Sequence, residues 1–288
     1  MFADMHMHTC FSDGTLTPEE VAQTAKSQGI DIISVCDHNS IGAYQTLRPA
    51  CAALGLTLIQ GIELDVAWEG EALHLLAYNF NPDNNAMLEL IDKNQAEYEL
   101  EGRCLVENMT KDYPTLSIED YNAYEMPQGR GGWKGINYLY DRGLSNDLLL
   151  DGLMYIKQYG VAMKFDDIET VNEIVRSAGG VPVLAHPGIY WNKGELHGKL
   201  SKLMAAGIGG LECYYPVHDA AFTKECVDFC KTHNLRITCG CDGHGDFAKN
   251  LRIVVCGIGI LKVDVSLLDL KGIYDPIIEE AKSKGVIE

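Results

Sequence analysis

Two histidines one residue apart, His6 and His8, open the chain, and Asp13 follows in a turn marked by Gly14. If residues 4–8 form a strand, both imidazoles point to one face, because strand side chains alternate. Two imidazoles on one face can grip one divalent cation. Related residues recur after short apolar runs: Asp37-His38 after 30–35, Glu63 after 56–62, His186 after 181–185, and Asp242-Gly243-His244 after 235–240. His74 sits inside a further run, 72–79.

Taken singly, several have ordinary explanations. Asp13 suits a turn before Gly14. Asp37 suits a helix cap, or a group that orients His38. His74 could simply hydrogen-bond, and His186 before Pro187 suits a turn. Glu63 is different, since a carboxylate ending an apolar run is costly without a cation. Clustering at one edge carries the argument: seven of nine histidines fall at or near predicted strand ends, while His197 and His233 fall on predicted helices. The expected ligand set is His6, His8, Asp13, His38, Glu63, His74, His186, Asp242 and His244. That exceeds the needs of one ion, so two or three divalent ions sharing carboxylates are expected. Imidazole and carboxylate without thiolate suit zinc, manganese or iron(II). Such a cluster activates water and neutralises an oxyanion, the chemistry of phosphate-ester hydrolysis.

The elements that must position these groups alternate between strand and helix. Thr17-Pro18-Glu19-Glu20 reads as a capped helix start, with Gly29 ending the helix. A second helix, 41–54, stops at Gly55. In α/β folds the carboxyl ends of the strands are where active sites are built. From 81 to 165 the pattern turns helical (87–109, 133–144, 147–159), which predicts an inserted subdomain. Residues 1–80 and 166–288 then form one β/α domain, with seven strands in a closed parallel barrel. The tail adds an apolar segment at 253–261 and a helix near 276–284.

The chain has 288 residues, 41 of them acidic and 23 basic, for a net charge of −18. That disfavours long nucleic-acid duplexes, which need a basic surface, and leaves small anions held through bound cations. No signal-peptide pattern and no apolar run of membrane-spanning length appears, so a cytoplasmic protein without membrane contact is expected. Ten cysteines form no disulfide-like framework. Cys239-Gly240-Cys241 has no second pair to match it and reads as small buried side chains, not structural zinc.

His6-Met7-His8, Asp13-Gly14, Asp37-His38, Gly61-Ile62-Glu63, His74, His186-Pro187 and Asp242-Gly243-His244 together resemble the PHP (polymerase and histidinol phosphatase) phosphoesterase family over nearly the whole chain. The resemblance implies a distorted (β/α)7 barrel with a trinuclear metal site. It places one metal on His6, His8, Glu63 and Asp242, and a second on Asp13, His38 and His244. Glu63 then bridges to a third on His74 and His186. Within the family the chain looks like small stand-alone enzymes with a helical insertion, including nucleoside 3′,5′-bisphosphate phosphatases and 5′-to-3′ exonucleases on short RNA. By position, Arg103, Arg130 and His218 match residues that hold substrate phosphate in those relatives. The segment Gly129-Arg130-Gly131-Gly132-Trp133 departs from the family, lacking the Pro-His that follows the arginine there. Trp133 or Tyr215 is a candidate to stack on a base.

The expected function is metal-dependent hydrolysis of a small phosphorylated metabolite, a nucleotide foremost, with Asp13 or His244 protonating the leaving group. The alternatives are a histidinol-phosphate-like phosphomonoesterase, an amidohydrolase-type metallohydrolase, and a non-catalytic metal- or phosphate-binding module. The amidohydrolase alternative lacks its usual strand-end lysine here.

Overall fold

The computed structural model describes residues 1–247 and 257–275. The first half runs β1 (Phe2–Met7), α1 (Pro18–Ser27), β2 (Ile32–Val35), α2 (Tyr44–Leu54), β3 (Thr57–Leu58), β4 (Gly61–Trp68) and β5 (Glu71–Tyr78). Four helices follow without a strand: α3 (Asn85–Met109), α4 (Ile118–Ala123), α5 (Lys134–Asp141) and α6 (Leu150–Tyr159). Alternation resumes with α7 (Ile168–Ser177), β6 (Val181–Leu184), α8 (Pro187–Tyr190), α9 (Lys193–Ala205), β7 (Gly210–Tyr214), α10 (Ala220–His233) and β8 (Arg236–Cys239), then the short β9 (Val263–Asp264). The segment 253–261 is described only from 257, and the helix expected near 276–284 lies outside the described residues.

The strands form two sheets, ordered β3-β2-β1-β9 and β4-β5-β6-β7-β8. This corrects the expected closed parallel (β/α)7 barrel: the fold is mixed α/β, and its sheets do not close. The reason is local. Glu69 and Gly70, both at positive φ, join β4 to β5 in a two-residue hairpin. A link that short permits only antiparallel pairing, whereas parallel neighbours need a long crossover. β5 therefore runs antiparallel to β4 and to β6, with parallel pairing resuming from β6 to β8. Single bridges join the sheets, His38 to Glu63 and Met7 to Gly243. Those bridges fall among the predicted metal ligands.

Local chemistry explains the flanking helices. Thr17 and Glu20 close the predicted capping box on α1. Asn84 caps α3, and Asp219 caps α10. The helices from α3 to α6 share an apolar cluster of their own, including Leu105, Val106, Met109, Tyr138 and Leu139. The helices α3 and α5 approach closely where Gly102 meets Gly135. No helix among the described residues is long and apolar enough to cross a membrane.

Candidate metal centre

Because β1 alternates its side chains, His6 and His8 reach the same space at its carboxyl end, and their Nε2 atoms lie 3.2 Å apart. Glu63, on β4, is the hub. Its Oε2 lies 3.1 Å from His6 Nε2, 3.2 Å from His8 Nε2 and 3.5 Å from His38 Nδ1. Its Oε1 lies 3.0 Å from both His74 Nδ1 and His186 Nε2. Asp242 Oδ1 stands 3.0 Å from His8 Nε2. Asp13 Oδ2 stands 3.2 Å from His244 Nε2 and 3.9 Å from His38 Nε2. All nine predicted ligands thus converge from both sheets.

Three groups of ligand atoms are each compact enough for one cation: His6, His8, Glu63, Asp242; His8, Asp13, His38, His244; and Glu63, His74, His186. A fourth overlaps them and brings in Asp65 with His38 and His74. Nδ1 of His186 is buried without a hydrogen-bond partner, and Nδ1 of His38 and of His74 approach Glu63 without a well-aligned hydrogen bond. Buried polar atoms normally find partners, so unpaired imidazole nitrogens beside carboxylates fit a site that takes cations. The backbone carries a further mark of constraint. His186 and Asp242 have positive φ (29° and 53°), unusual for residues with a Cβ.

Electrostatics agrees with that geometry. Burial opposes protonation of His6, but Glu63, Glu212 and Asp242 outweigh it and hold its pKa well above the usual value. His8, against the same burial, is pushed up to about 10 by Asp242, Glu63 and Asp13. Burial disfavours charge on Asp13, yet His244, His38 and His8 hold its carboxyl below the usual range. Glu63 and Asp242 are likewise held well below theirs, against desolvation, by surrounding histidines. Without metal, protons on His6, His8 and His74 balance the carboxylates, and cations would replace those protons.

The ring orientations are set by groups outside the predicted set. Glu212, fully buried on β7, places Oε1 3.0 Å from His6 Nδ1, and its Oε2 accepts the His186 backbone N–H at 2.8 Å. Asp65 Oδ1 lies 3.3 Å from His74 Nε2, and its Oδ2 accepts from the Tyr98 hydroxyl at 3.0 Å. Asp37 accepts the Thr9 backbone N–H and the Thr9 and Ser12 hydroxyls, each at 2.7 Å. Asp37 is thus an organiser of the turn that carries Asp13. The Tyr215 hydroxyl donates to Asp242 Oδ2 at 3.0 Å. Glu63 was expected at the end of the run 56–62, but β4 begins at Gly61 and holds Glu63 within it; Glu212 and Asp65, which escaped the sequence reading, are likewise carboxylates inside apolar strands.

A cavity of about 410 Å³ opens over these ligands. Its far wall comes from the segment 81–165 and includes Tyr98, Glu101, Trp133, Ile136 and Phe165. Arg103, Arg130 and His218 do not line it. Arg103 is exposed on α3. Arg130 donates to Asp141 Oδ1 at 2.6 Å and lies over the Tyr140 ring. His218 has Nδ1 3.1 Å from the Cys213 carbonyl, while its Nε2 accepts the Gly188 N–H at 3.0 Å. The fold therefore does not bring the expected phosphate grips to this space. Tyr215 lines it through its contact with Asp242, and Trp133 through its ring. Cys239 and Cys241 are buried and unbridged, as small packing residues should be.

Residues 4–126 match the PHP domain family. A 5′-3′ exoribonuclease of Haemophilus influenzae is 28% identical over 269 residues, covering 87% of this chain and 94% of its own. A 3′,5′-nucleoside bisphosphate phosphatase of Chromobacterium violaceum is 24% identical over 250 residues, with coverages of 84% and 86%. A solved structure from Bifidobacterium adolescentis superposes with a TM-score of 0.78 at 24% identity, covering 96% of this chain and 97% of that one, and so shares the fold.

Proposed function

For a chain that carries a PHP domain over residues 4–126, we propose metal-dependent hydrolysis of a nucleotide phosphate ester. The convergence of nine imidazole and carboxylate ligands on Glu63 carries this reading. Two relatives with nearly full coverage are named for cleaving phosphate esters of nucleotides, one at RNA and one at a mononucleotide.

His6, His8, Glu63 and Asp242 would hold one cation, and Asp13, His38 and His244, with His8, a second. Glu63, His74 and His186 would hold a third. Manganese, iron(II) and zinc all suit this donor set. Bound there, the ions supply an activated water and neutralise charge on the phosphoryl oxygens. The chain's own part is to fix that geometry. Glu212 and Asp65 lock the imidazoles of His6 and His74, and Asp37 ties down the turn that carries Asp13.

The two candidates for the leaving-group proton, Asp13 and His244, serve instead as ligands. His244 Nδ1 lies 2.8 Å from the Asp242 backbone carbonyl, which keeps a proton on Nδ1 and a lone pair on Nε2. His244 then serves as a ligand. Asp13, kept ionised by its histidines, likewise serves as a ligand and carries no proton of its own. The insertion, 81–165, acts as a subdomain that builds the wall opposite the metals.

The test is purified protein loaded with Mn²⁺ and offered nucleoside monophosphates, nucleoside 3′,5′-bisphosphates and short oligoribonucleotides. Hydrolysis that disappears in Asp242→Asn, with the circular dichroism spectrum unchanged, supports the scheme. Full activity in that variant, or no hydrolysis by loaded wild type, overturns it.

A further inference from the structure

The far wall of the cavity has a chemistry of its own. Among the described residues no lysine or arginine lines it. Tyr98, Trp133, Phe165 and Phe247 give it an aromatic surface; Tyr98 and Trp133 are stacked at 6.1 Å, and Phe247 meets Trp133 edge-on at 5.9 Å. Among the described residues, Glu101 is the one carboxylate on that wall away from the ligand cluster. It is only 9% exposed, and its Oε1 has no hydrogen-bond partner. Asn94, Tyr98 and Glu101 follow one another at helical spacing, so one face of α3 presents them together. Asn94 Nδ2 donates to the Asp65 carbonyl at 2.9 Å, and Tyr98 donates to the Asp65 carboxylate. These bonds tie Glu101 to the metal side through a rigid helix.

A buried carboxylate without a partner is costly, and the cost is recovered when a ligand supplies N–H donors. Aromatic faces suit a flat ring, with stacking worth about 1–3 kcal/mol per base. A volume near 410 Å³ lies at the small end of ligand sites and suits one nucleoside, not an oligomer. Among the described residues, a second phosphate on this wall would meet a carboxylate and no cation. Resting on the phosphoesterase reading, we propose that the substrate is a nucleotide carrying one phosphate, held by the metals. Its base lies on the aromatic wall, and the amino-bearing edge of that base donates to Glu101. Cytosine offers its 4-amino group and guanine its N1–H and 2-amino group. Uracil presents a carbonyl oxygen where cytosine has the amino group, and hypoxanthine lacks guanine's amino group.

Two measurements test this. In the Mn²⁺-loaded enzyme, kcat/KM for CMP over UMP and for GMP over IMP is expected to reach about tenfold, the cost of one unmade hydrogen bond to a buried charged group. Glu101→Gln, which keeps the shape, is expected to bring both ratios to within about twofold. A 3′,5′-bisphosphate is expected to be poorer than the matching monophosphate. In the metal-free protein, cytidine and guanosine are expected to quench tryptophan fluorescence, and Trp133→Phe to remove the quench. Equal ratios in wild type, a preferred bisphosphate, or no quench by either nucleoside overturns the proposal. Its failure is separable from that of the parent reading. Hydrolysis without base preference or quench rejects this inference alone, whereas quench without hydrolysis of any ester rejects the phosphoesterase reading. Should Glu101→Gln fail to fold, the wild-type ratios and quench still decide.

Discussion

Glu212 Oε1 lies 3.0 Å from His6 Nδ1, and the other oxygen of the same carboxylate accepts the backbone N–H of His186 at 2.8 Å. One buried side chain therefore sets the ring of His6 on β1 and the backbone of His186 after β6. Glu212→Gln keeps the volume but weakens its hold on the His6 ring. Loss of an outer partner of this kind lowers metal affinity by roughly 10–100-fold. Titrating Mn²⁺ into metal-free protein by calorimetry checks this, and unchanged affinity would remove Glu212 from the site.

Gly240 packs against the same pair. A Cβ there would stand 2.1 Å from His6 Cβ and 2.6 Å from Glu212 Oε1. Gly240→Ala is therefore expected to destabilise the fold by about 1–3 kcal/mol, the usual cost of overpacking. It should also reduce metal content, read by elemental analysis beside the thermal melt. A variant with normal melting and full metal content would contradict the close approach.

Metal binding should release protons. In the metal-free protein His8 is raised from 6.5 to about 10, so its contribution to stability is fully present below pH 6.5 and lost as pH rises through about 10. Asp13, Glu63 and Asp242 are depressed, so theirs is present above the ordinary carboxylate range and lost on acidification. Stability of the metal-free protein is expected to plateau between these limits and fall on both sides. Calorimetry in two buffers of different ionisation enthalpy should show proton release on Mn²⁺ binding at pH 7, with apparent affinity rising with pH. Buffer-independent heats would mean the imidazoles are already neutral.

Arg130 is engaged by Asp141 and Tyr140 rather than by the cavity. Arg130→Ala is expected to leave KM within about twofold and to cost at most ~1 kcal/mol, the ordinary worth of a half-exposed ion pair. Steady-state kinetics and a urea melt check both. A large rise in KM would return Arg130 to phosphate binding.

Burial pushes Glu101 from 4.5 up to about 7. A carboxyl raised on folding is penalised once it ionises, so the penalty is absent below pH 4.5 and grows as pH rises toward 7. Glu101→Gln should melt close to wild type at pH 4.5 and higher than wild type at pH 8. About 1 kcal/mol is expected, after discounting for partial contact with solvent. An equal difference at both pH values would contradict the shift.

The convergence of these side chains was legible in the residues because imidazoles and carboxylates in or beside apolar runs violate the pattern around them, and a violation repeated along the chain has one economical cause. Glu63 and Asp242-Gly243-His244 were readable for that reason. Glu212 violates the same pattern within β7, yet it lies mid-strand, where no turn marks it. Asp65 was hidden by the hairpin through Glu69-Gly70, which folds β5 back beside β4 and brings His74 to it. That hairpin also undid the expected barrel, because strand direction depends on two residues of turn geometry, while the apolar runs look alike either way.

The capped helices, the helical run from 81 to 165 and the repeated imidazoles and carboxylates follow from periodicity and local chemistry, which act between near neighbours in the chain. Which side chains face the cavity was settled only by the tertiary fold. Arg103 and Glu101 are two residues apart on α3, yet one points to solvent and the other into the pocket. The packing of α3 against α5 and α6 decides that, and no local propensity encodes it.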